Sequence, residues 1–281
     1  MRIAIASGKG GTGKTTIATS LALSLADRLK VCYFDCDVEA PNGHIFLKPN
    51  FSFVSQANIP IPQIDAALCR ACGHCVSVCQ FHALAKIGNN ILVFPQLCHG
   101  CGSCTLNCPA GAISEVPNPI GVLETGVAMS GIEFFQGRLT ISEPMATPII
   151  RQLKKLAQPR QDAIEIYDAP PGASCSVVET LKGVDRVLLV TEPTPFGLHD
   201  LKQVLGILRE MKLPAGVIIN RDGIGDQSVE QFCTEEGLPI LMRIPISRKI
   251  AESISRGVTL VEMNPELLNP FQNLIEEARW P

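Results

Sequence analysis

"SGKGGTGKTT", Ser7 to Thr16, follows the apolar run "RIAIAS" of Arg2–Ser7 and precedes Thr15–Leu29, whose apolar residues recur at helical spacing. A buried strand that stops at glycines and continues as a helix is the setting of a phosphate-binding loop, and Gly8 to Thr15 fits G-x-x-x-x-G-K-[ST]. Gly8, Gly10, Gly11 and Gly13, with Thr12 between them, let backbone N–H groups curl around a phosphate. The helix start adds a partial positive charge. Lys14 is expected to reach the β and γ phosphates of ATP or ADP, the Thr15 hydroxyl to ligate Mg²⁺, and Thr16 to join the same contacts. The loop also holds a second lysine, Lys9, that phosphate binding within one chain does not require.

Outward from the loop, strands and helices alternate. Val31–Phe34 reads as a second buried strand, followed by Ala163–Tyr167, Arg186–Thr191, Ala215–Asn220 and Ile240–Ile244. Helices are expected near Thr147–Ala157, Ser176–Lys182, Leu198–Met211, Ser228–Glu236, Arg248–Ser255 and Pro265–Ala278. This pattern predicts an α/β fold, a mostly parallel sheet covered by helices. Two strands end in carboxylates: Asp35 and Asp37 in "DCDVEAPN", and Asp168 in "YDAPPG". Carboxylates at strand ends beside a phosphate loop can hold Mg²⁺ and orient an attacking water.

Between Ile59 and Pro119 the alternation stops. Prolines bound the stretch, at Pro60 and Pro62 before and Pro117 and Pro119 after, and it contains eight of the twelve cysteines. "CRACGHCVSVC" is repeated as "CHGCGSCTLNC" with the same spacing, so the stretch reads as a small duplicated α+β module, 59–119, inserted into an α/β domain of 1–58 and 120–281. C-x-x-C-x-x-C-x-x-x-C written twice is the pattern of two-cluster bacterial ferredoxins, in which each fourth cysteine serves the other cluster. Cys69, Cys72, Cys75 and Cys108 are therefore assigned to one [4Fe–4S] cluster, and Cys98, Cys101, Cys104 and Cys79 to the other. Structural zinc draws instead on two C-x-x-C pairs set well apart. Gln80 stands where many ferredoxins have proline, but that proline is not a ligand. Asp65, Arg70, Lys86 and Glu115 leave the module without net charge, so it is expected to meet a partner by shape. Cys32, Cys36 and Cys233 read as small core residues, and Cys175 as structural.

Lys9 with Lys14, the Asp35–Asp37 pair and D-x-P-P-G at Asp168–Gly172 resemble the MinD/ParA group of deviant Walker-A ATPases, here with a ferredoxin insertion. The group also includes the nitrogenase iron protein and Mrp-type iron–sulfur carriers. The resemblance implies an ATP-dependent homodimer in which Lys9 reaches the partner's phosphates. It also implies that Asp37 positions the hydrolytic water and that Asp35 supports the first switch. Asp168 and Gly172 would sense the γ-phosphate, and Asn220 and Pro245 would contact the adenine. Two features of relatives are missing. Cys175 has no counterpart around Gly121–Gly137 for a subunit-bridging cluster, and no C-x-x-C lies near the carboxyl end.

The expected function is ATP binding and hydrolysis, coupling nucleotide-dependent dimerisation to electron transfer through two [4Fe–4S] clusters toward an unidentified redox protein. A positioning ATPase with redox-sensing clusters and an iron–sulfur scaffold or carrier remain alternatives. The formal net charge of −3 argues against nucleic acid as a partner, and no run of about 18 apolar residues argues for membrane insertion. The start is not read as a signal peptide, so a cytoplasmic location is expected. The closing segment "PELLNPFQNLIEEARW", with Glu266, Glu276 and Glu277 against Arg279, is expected to pack on the core.

Overall fold

A computed structural model describes residues 1–128, 130–157, 162–276 and 280. The chain forms two compact units. One comprises Met1–Ser55, Leu123–Arg138 and Ile150–Pro281, and the other Gln56–Val122 and Leu139–Ile149.

The first unit opens with β1 (Arg2–Ala6), α1 (Lys14–Ala26), β2 (Lys30–Asp35), α2 (Gly43–Leu47) and β3 (Asn50–Ile64), whose later residues belong to the second unit. The second unit then holds α3 (His74–Ser77), β4 (Leu84–Ile87), β5 (Asn90–Val93), α4 (Ser103–Leu106) and most of β6 (Ile113–Val127). After β7 (Glu133–Leu139) and α5 (Thr147–Leu156) come β8 (Ala163–Asp168), α6 (Cys175–Leu181), β9 (Arg186–Thr191) and α7 (Pro195–Met211). The chain continues through β10 (Ala215–Asp222), α8 (Ser228–Glu235), β11 (Ile240–Pro245), α9 (Arg248–Ser255), α10 (Leu260–Met263) and α11 (Leu268–Gln272).

The main sheet runs β11-β10-β9-β1-β8-β2-β7-β6-β3, and every neighbouring pair from β11 to β7 is parallel. Ile3, Ala4, Ile5 and Ala6 have no solvent exposure, as the unbroken apolar run of a central parallel strand requires. Against the sheet α1 buries Ile17, Ala18, Leu21, Ala22 and Leu25. Phe34 lies between Phe135 and Tyr167, with ring centroids 4.7 and 4.6 Å away. Each such buried ring contributes on the order of 2–3 kcal/mol.

The parallel sheet covered by helices is the fold class expected from the sequence. Three of its strands, β3, β6 and β7, lie in stretches whose strand character the sequence did not declare. Prolines at Pro60, Pro62, Pro117 and Pro119 fall within β3 and β6 and mask their extended runs. The expected last helix, Pro265–Ala278, is a correction. Asn264 is extended before Pro265, and the segment breaks into a 3-10 turn at Pro265–Leu267, the short α11, and a second turn at Asn273–Ile275. Proline supplies no N–H to a continuing helix and pushes its predecessor out of the helical region. Ala278, Glu277 and Arg279 lie outside the described residues. The segment does pack on the core: Phe271 and Leu274 are fully buried, and Gln272 Nε2 donates to the Ser24 carbonyl at 2.7 Å.

In the second unit β4 and β5 form an antiparallel hairpin. Its core is built from Cys75, Cys79, Cys98 and Cys104 with Ala83, Leu84 and Ile113. Among the described residues, no helix is long and apolar enough to cross a membrane.

Candidate functional site

β1 ends between β8 and β9, neither of which is its neighbour in sequence, so the loop after it opens at a switch point of the sheet. Ser7 is buried, its hydroxyl donates to the Lys9 carbonyl at 2.8 Å, and its own carbonyl accepts from Gly172 N at 2.9 Å. Two glycines are sterically required. A Cβ on Gly8 would stand 2.4 Å from Asp200, and Gly13, at φ +91°, would drive one within 2.3 Å of Asn220 Nδ2. No side chain caps α1, and no acidic residue stands in its first turn. Its first N–H groups are thus left for an anion.

β2 and β8 bring their carboxylates side by side, Asp35 in register with Asp168. Both are fully buried. Asp35 accepts N–H bonds from Asp37 at 3.2 Å, Asn42 at 2.9 Å and Gly43 at 2.8 Å, which folds the segment after β2 around one side chain. Burial, and next the neighbouring Asp168, push the Asp35 carboxyl up to about 8. Asp37 is half-buried, and its carboxyl is raised by burial against the opposing pull of Lys14. Asp168 accepts from Tyr33 Oη at 2.9 Å through Oδ2 and faces Lys14 Nζ at 3.8 Å through Oδ1. Among the described residues Oδ1 of Asp168, Thr12 Oγ1 and Asn42 Oδ1 are buried without a hydrogen-bond partner. Unpartnered buried acceptors beside a phosphate loop suit a nucleotide and a hydrated Mg²⁺.

A cleft of about 610 Å³ opens beside these groups. Of the residues the sequence nominates, Gly10, Gly11, Gly13, Lys14, Thr15, Thr16, Asp37, Asn220 and Pro245 line it. Gly8, Lys9, Thr12, Asp35, Asp168 and Gly172 are not among its lining residues: the first three lie in the loop, Gly172 and Asp168 contact it through Ser7 and Lys14, and Asp35 holds the segment after β2. Asn220 both lines the cleft and holds the loop, donating to the Thr12 carbonyl at 2.7 Å. Lys9 is turned to its own chain: its Nζ lies 3.1 Å from Glu192 Oε2.

Sequence reasoning missed Asn42, Phe46, Arg221, Ile246 and Ile250, all of which line the cleft, and Glu192 behind Lys9. Glu192 was findable, since it follows the end of β9 as Asp37 and Asp168 mark the ends of β2 and β8. Phe46, Ile246 and Ile250 give the cleft an apolar wall that no motif announces.

In the second unit the cysteines gather into two cavities. Cys69, Cys72, Cys75 and Cys108 line one, and Cys79, Cys98, Cys101 and Cys104 the other. Four sulfurs accept backbone N–H bonds with a repeated pattern. Cys69 accepts from Ala71 at 3.4 Å and Cys98 from Gly100 at 3.5 Å; Cys79 accepts from Ala83 and Cys108 from Ala112, both at 3.3 Å. Among the described residues no group of three or more His, Cys, Asp or Glu is set to hold a single metal ion. Phe81 stacks on His99 at 3.7 Å beside the second cavity. Cys32, Cys36 and Cys233 are buried, and Cys175 is exposed at the start of α6.

Residues 3–261 match the family model of the CobQ/CobB/MinD/ParA nucleotide binding domain. An uncharacterized protein of Methanocaldococcus jannaschii is 29% identical, covering 100% of this chain and 97% of its own length. The iron–sulfur cluster carrier protein of Pyrococcus horikoshii is 24% identical over 92% of this chain and 79% of its own. In fold, the chain is similar to the septum site-determining protein MinD of Pyrococcus horikoshii complexed with Mg-ADP. The TM-score is 0.61 at 18% identity, over 99% of this chain and 96% of that one. The matched span holds the phosphate loop, the carboxylates of β2 and β8 and the cleft, and the chain belongs to the CobQ/CobB/MinD/ParA nucleotide-binding family.

Proposed function

We propose that this protein is an ATPase whose nucleotide state governs electron transfer through two [4Fe–4S] clusters. One observation carries the reading: a chain of this nucleotide-binding family also brings eight cysteines into two cavities of four each. The grouping supports crossed ligation, Cys108 with the triplet Cys69, Cys72 and Cys75, and Cys79 with Cys98, Cys101 and Cys104. Four thiolates spread around a cavity suit a multi-iron core, and residues 59–119 constitute an inserted two-cluster ferredoxin module. When bound, each cluster supplies one-electron chemistry.

At the nucleotide site Lys14 and the N–H groups of Gly8–Thr16 hold the phosphates of ATP or ADP. Thr15 supplies a hydroxyl to Mg²⁺, and Asp168 Oδ1 accepts from its water shell. Asp37 takes the position from which a carboxylate orients the attacking water, with Asp35 fixing its backbone. Asn220 holds the loop, while Pro245, Ile246 and Ile250 cover the base. Lys9 serves a second copy, which makes the working form an ATP-dependent homodimer. The chain leaves the segment fixed by Asp35 and enters the cysteine unit along β3, a continuous strand. A redox protein is the partner, and the reducing cytoplasm is the setting that twelve cysteines require.

A second reading, delivery of clusters to an acceptor, is favoured by the relative named as an iron–sulfur cluster carrier. The deciding experiment is an anaerobic redox titration followed by EPR, without nucleotide, with Mg-ADP and with a non-hydrolysable ATP analogue. A shift of about 59 mV corresponds to a tenfold change in coupling for one electron. Identical potentials in all three states, with iron passing to an apo-acceptor, would sink the electron-transfer reading in favour of delivery.

A further inference from the structure

Glu192 is a carboxylate in a region that otherwise attracts anions, and its side chain is only 6% exposed. Both of its oxygens are paired: Oε2 with Lys9 Nζ at 3.1 Å, and Oε1 with Arg221 Nη1 at 2.6 Å. Nη2 of Arg221 donates to the Gly11 carbonyl at 3.1 Å, so the three side chains form a bracket across the phosphate loop. Arg221 takes this position from a left-handed backbone, φ +55°. The Glu192 backbone is held too: its carbonyl accepts from Thr194 N at 2.8 Å.

Lys9 cannot extend to a phosphate of another molecule without breaking its ion pair. Breaking a pair with a buried carboxylate is ordinarily costly because that charge is left without compensation. Here Arg221 remains on Glu192, and that cost falls. The terminal phosphate of ATP offers more negative charge than one carboxylate and ADP lacks it, so the exchange favours the triphosphate.

We infer that Glu192 and Arg221 are positioning residues for Lys9. Glu192 retains the lysine in the unassociated chain, and Arg221 compensates Glu192 when Lys9 transfers to the triphosphate of a second copy. This rests on the ATP-dependent homodimer proposed above.

The test is the dimer dissociation constant from sedimentation equilibrium, at saturating Mg²⁺ and non-hydrolysable ATP analogue, for wild type, Glu192→Gln and Arg221→Gln. Glu192→Gln is expected to tighten the dimer about three- to tenfold, because nothing retains Lys9. Arg221→Gln weakens it by a similar factor, because Glu192 then depends on Lys9 alone. A merely structural role would weaken both. A wild type that stays monomeric overturns the dimer reading itself. A wild-type dimer with Glu192→Gln unchanged or weaker overturns this inference and leaves that reading standing. Should Glu192→Gln not fold, Arg221→Gln decides, since its side chain is 49% exposed: an unchanged or tighter dimer overturns the inference.

Discussion

The ammonium of Lys14 stands 3.8 Å from Oδ1 of Asp168, and neither side chain is more than 8% exposed. The pair joins the phosphate loop to the end of β8, and the carboxylate oxygen that faces the lysine has no hydrogen-bond partner among the described residues. In the proposed ATPase this cation and this unsatisfied acceptor divide the work: the lysine serves the phosphates and the carboxylate the hydrated metal.

Replacing the two residues therefore separates binding from turnover. Lys14→Ala should raise the dissociation constant for Mg-ATP about 100-fold, since a charge-assisted contact to phosphate is lost. Asp168→Asn should keep binding within about threefold and lower hydrolysis about 100-fold or more. Isothermal titration and phosphate-release assays distinguish the two. Equal loss of binding in both variants would show that the pair acts only as a structural link.

Asn220 ties β10 to the loop through the Thr12 carbonyl. Asn220→Ala removes that bond without adding volume and should cost about 1 kcal/mol of stability. Gly13→Ala forces a left-handed residue and a Cβ into Asn220, so it should cost more and abolish nucleotide binding. Urea unfolding with and without nucleotide measures both. A Gly13→Ala protein as stable as Asn220→Ala would mean that the loop relaxes freely.

The buried Asp35 makes stability depend on pH. Its carboxyl rises from 3.8 to about 8, chiefly through burial, so the folded chain keeps a proton that the unfolded chain has shed. Stability contributed by this group is complete below pH ~4 and is lost as pH rises toward about 8, at no more than about 1.4 kcal/mol per pH unit. Urea midpoints should fall between pH 5.5 and 8.5, and Asp35→Asn should flatten that slope. A wild-type slope that survives in Asp35→Asn would assign it to other groups.

Crossed ligation is tested by paired substitutions. Cys79→Ser with Cys98→Ser touches one cavity and should leave about half the iron. Cys79→Ser with Cys75→Ser touches both and should lose nearly all of it. The two doubles should also differ in EPR, the first keeping a single unperturbed signal. The opposite ranking would restore ligation within each consecutive motif.

Much of this molecule was legible in its sequence where local chemistry is obligatory. A phosphate loop needs glycine at Gly8 and Gly13 and a lysine and a hydroxyl at fixed spacing, and the proposed clusters need four thiolates each, so Ser7–Thr16 and Cys69–Cys108 stand out in the sequence. β1, β2, β8, β9 and β10 were legible for a related reason, because strands buried on both faces need apolar runs, and β11 showed its short apolar stretch Ile240–Met242. The strands β3, β6 and β7 lack such runs. Prolines interrupt β3 and β6, and polar Gln136 and Gly137 interrupt β7, so pairing with neighbouring strands is what makes them strands. The same holds for Glu192 and Arg221: nothing in "VTEPTP" or "NRDG" says that these side chains meet Lys9. Sequence by itself determined which residues are candidates for phosphate and iron, because that chemistry dictates residue type and spacing. Only the tertiary structure decided where Lys9 rests, because ion pairs form between residues that are distant along the chain and adjacent only after the sheet has assembled.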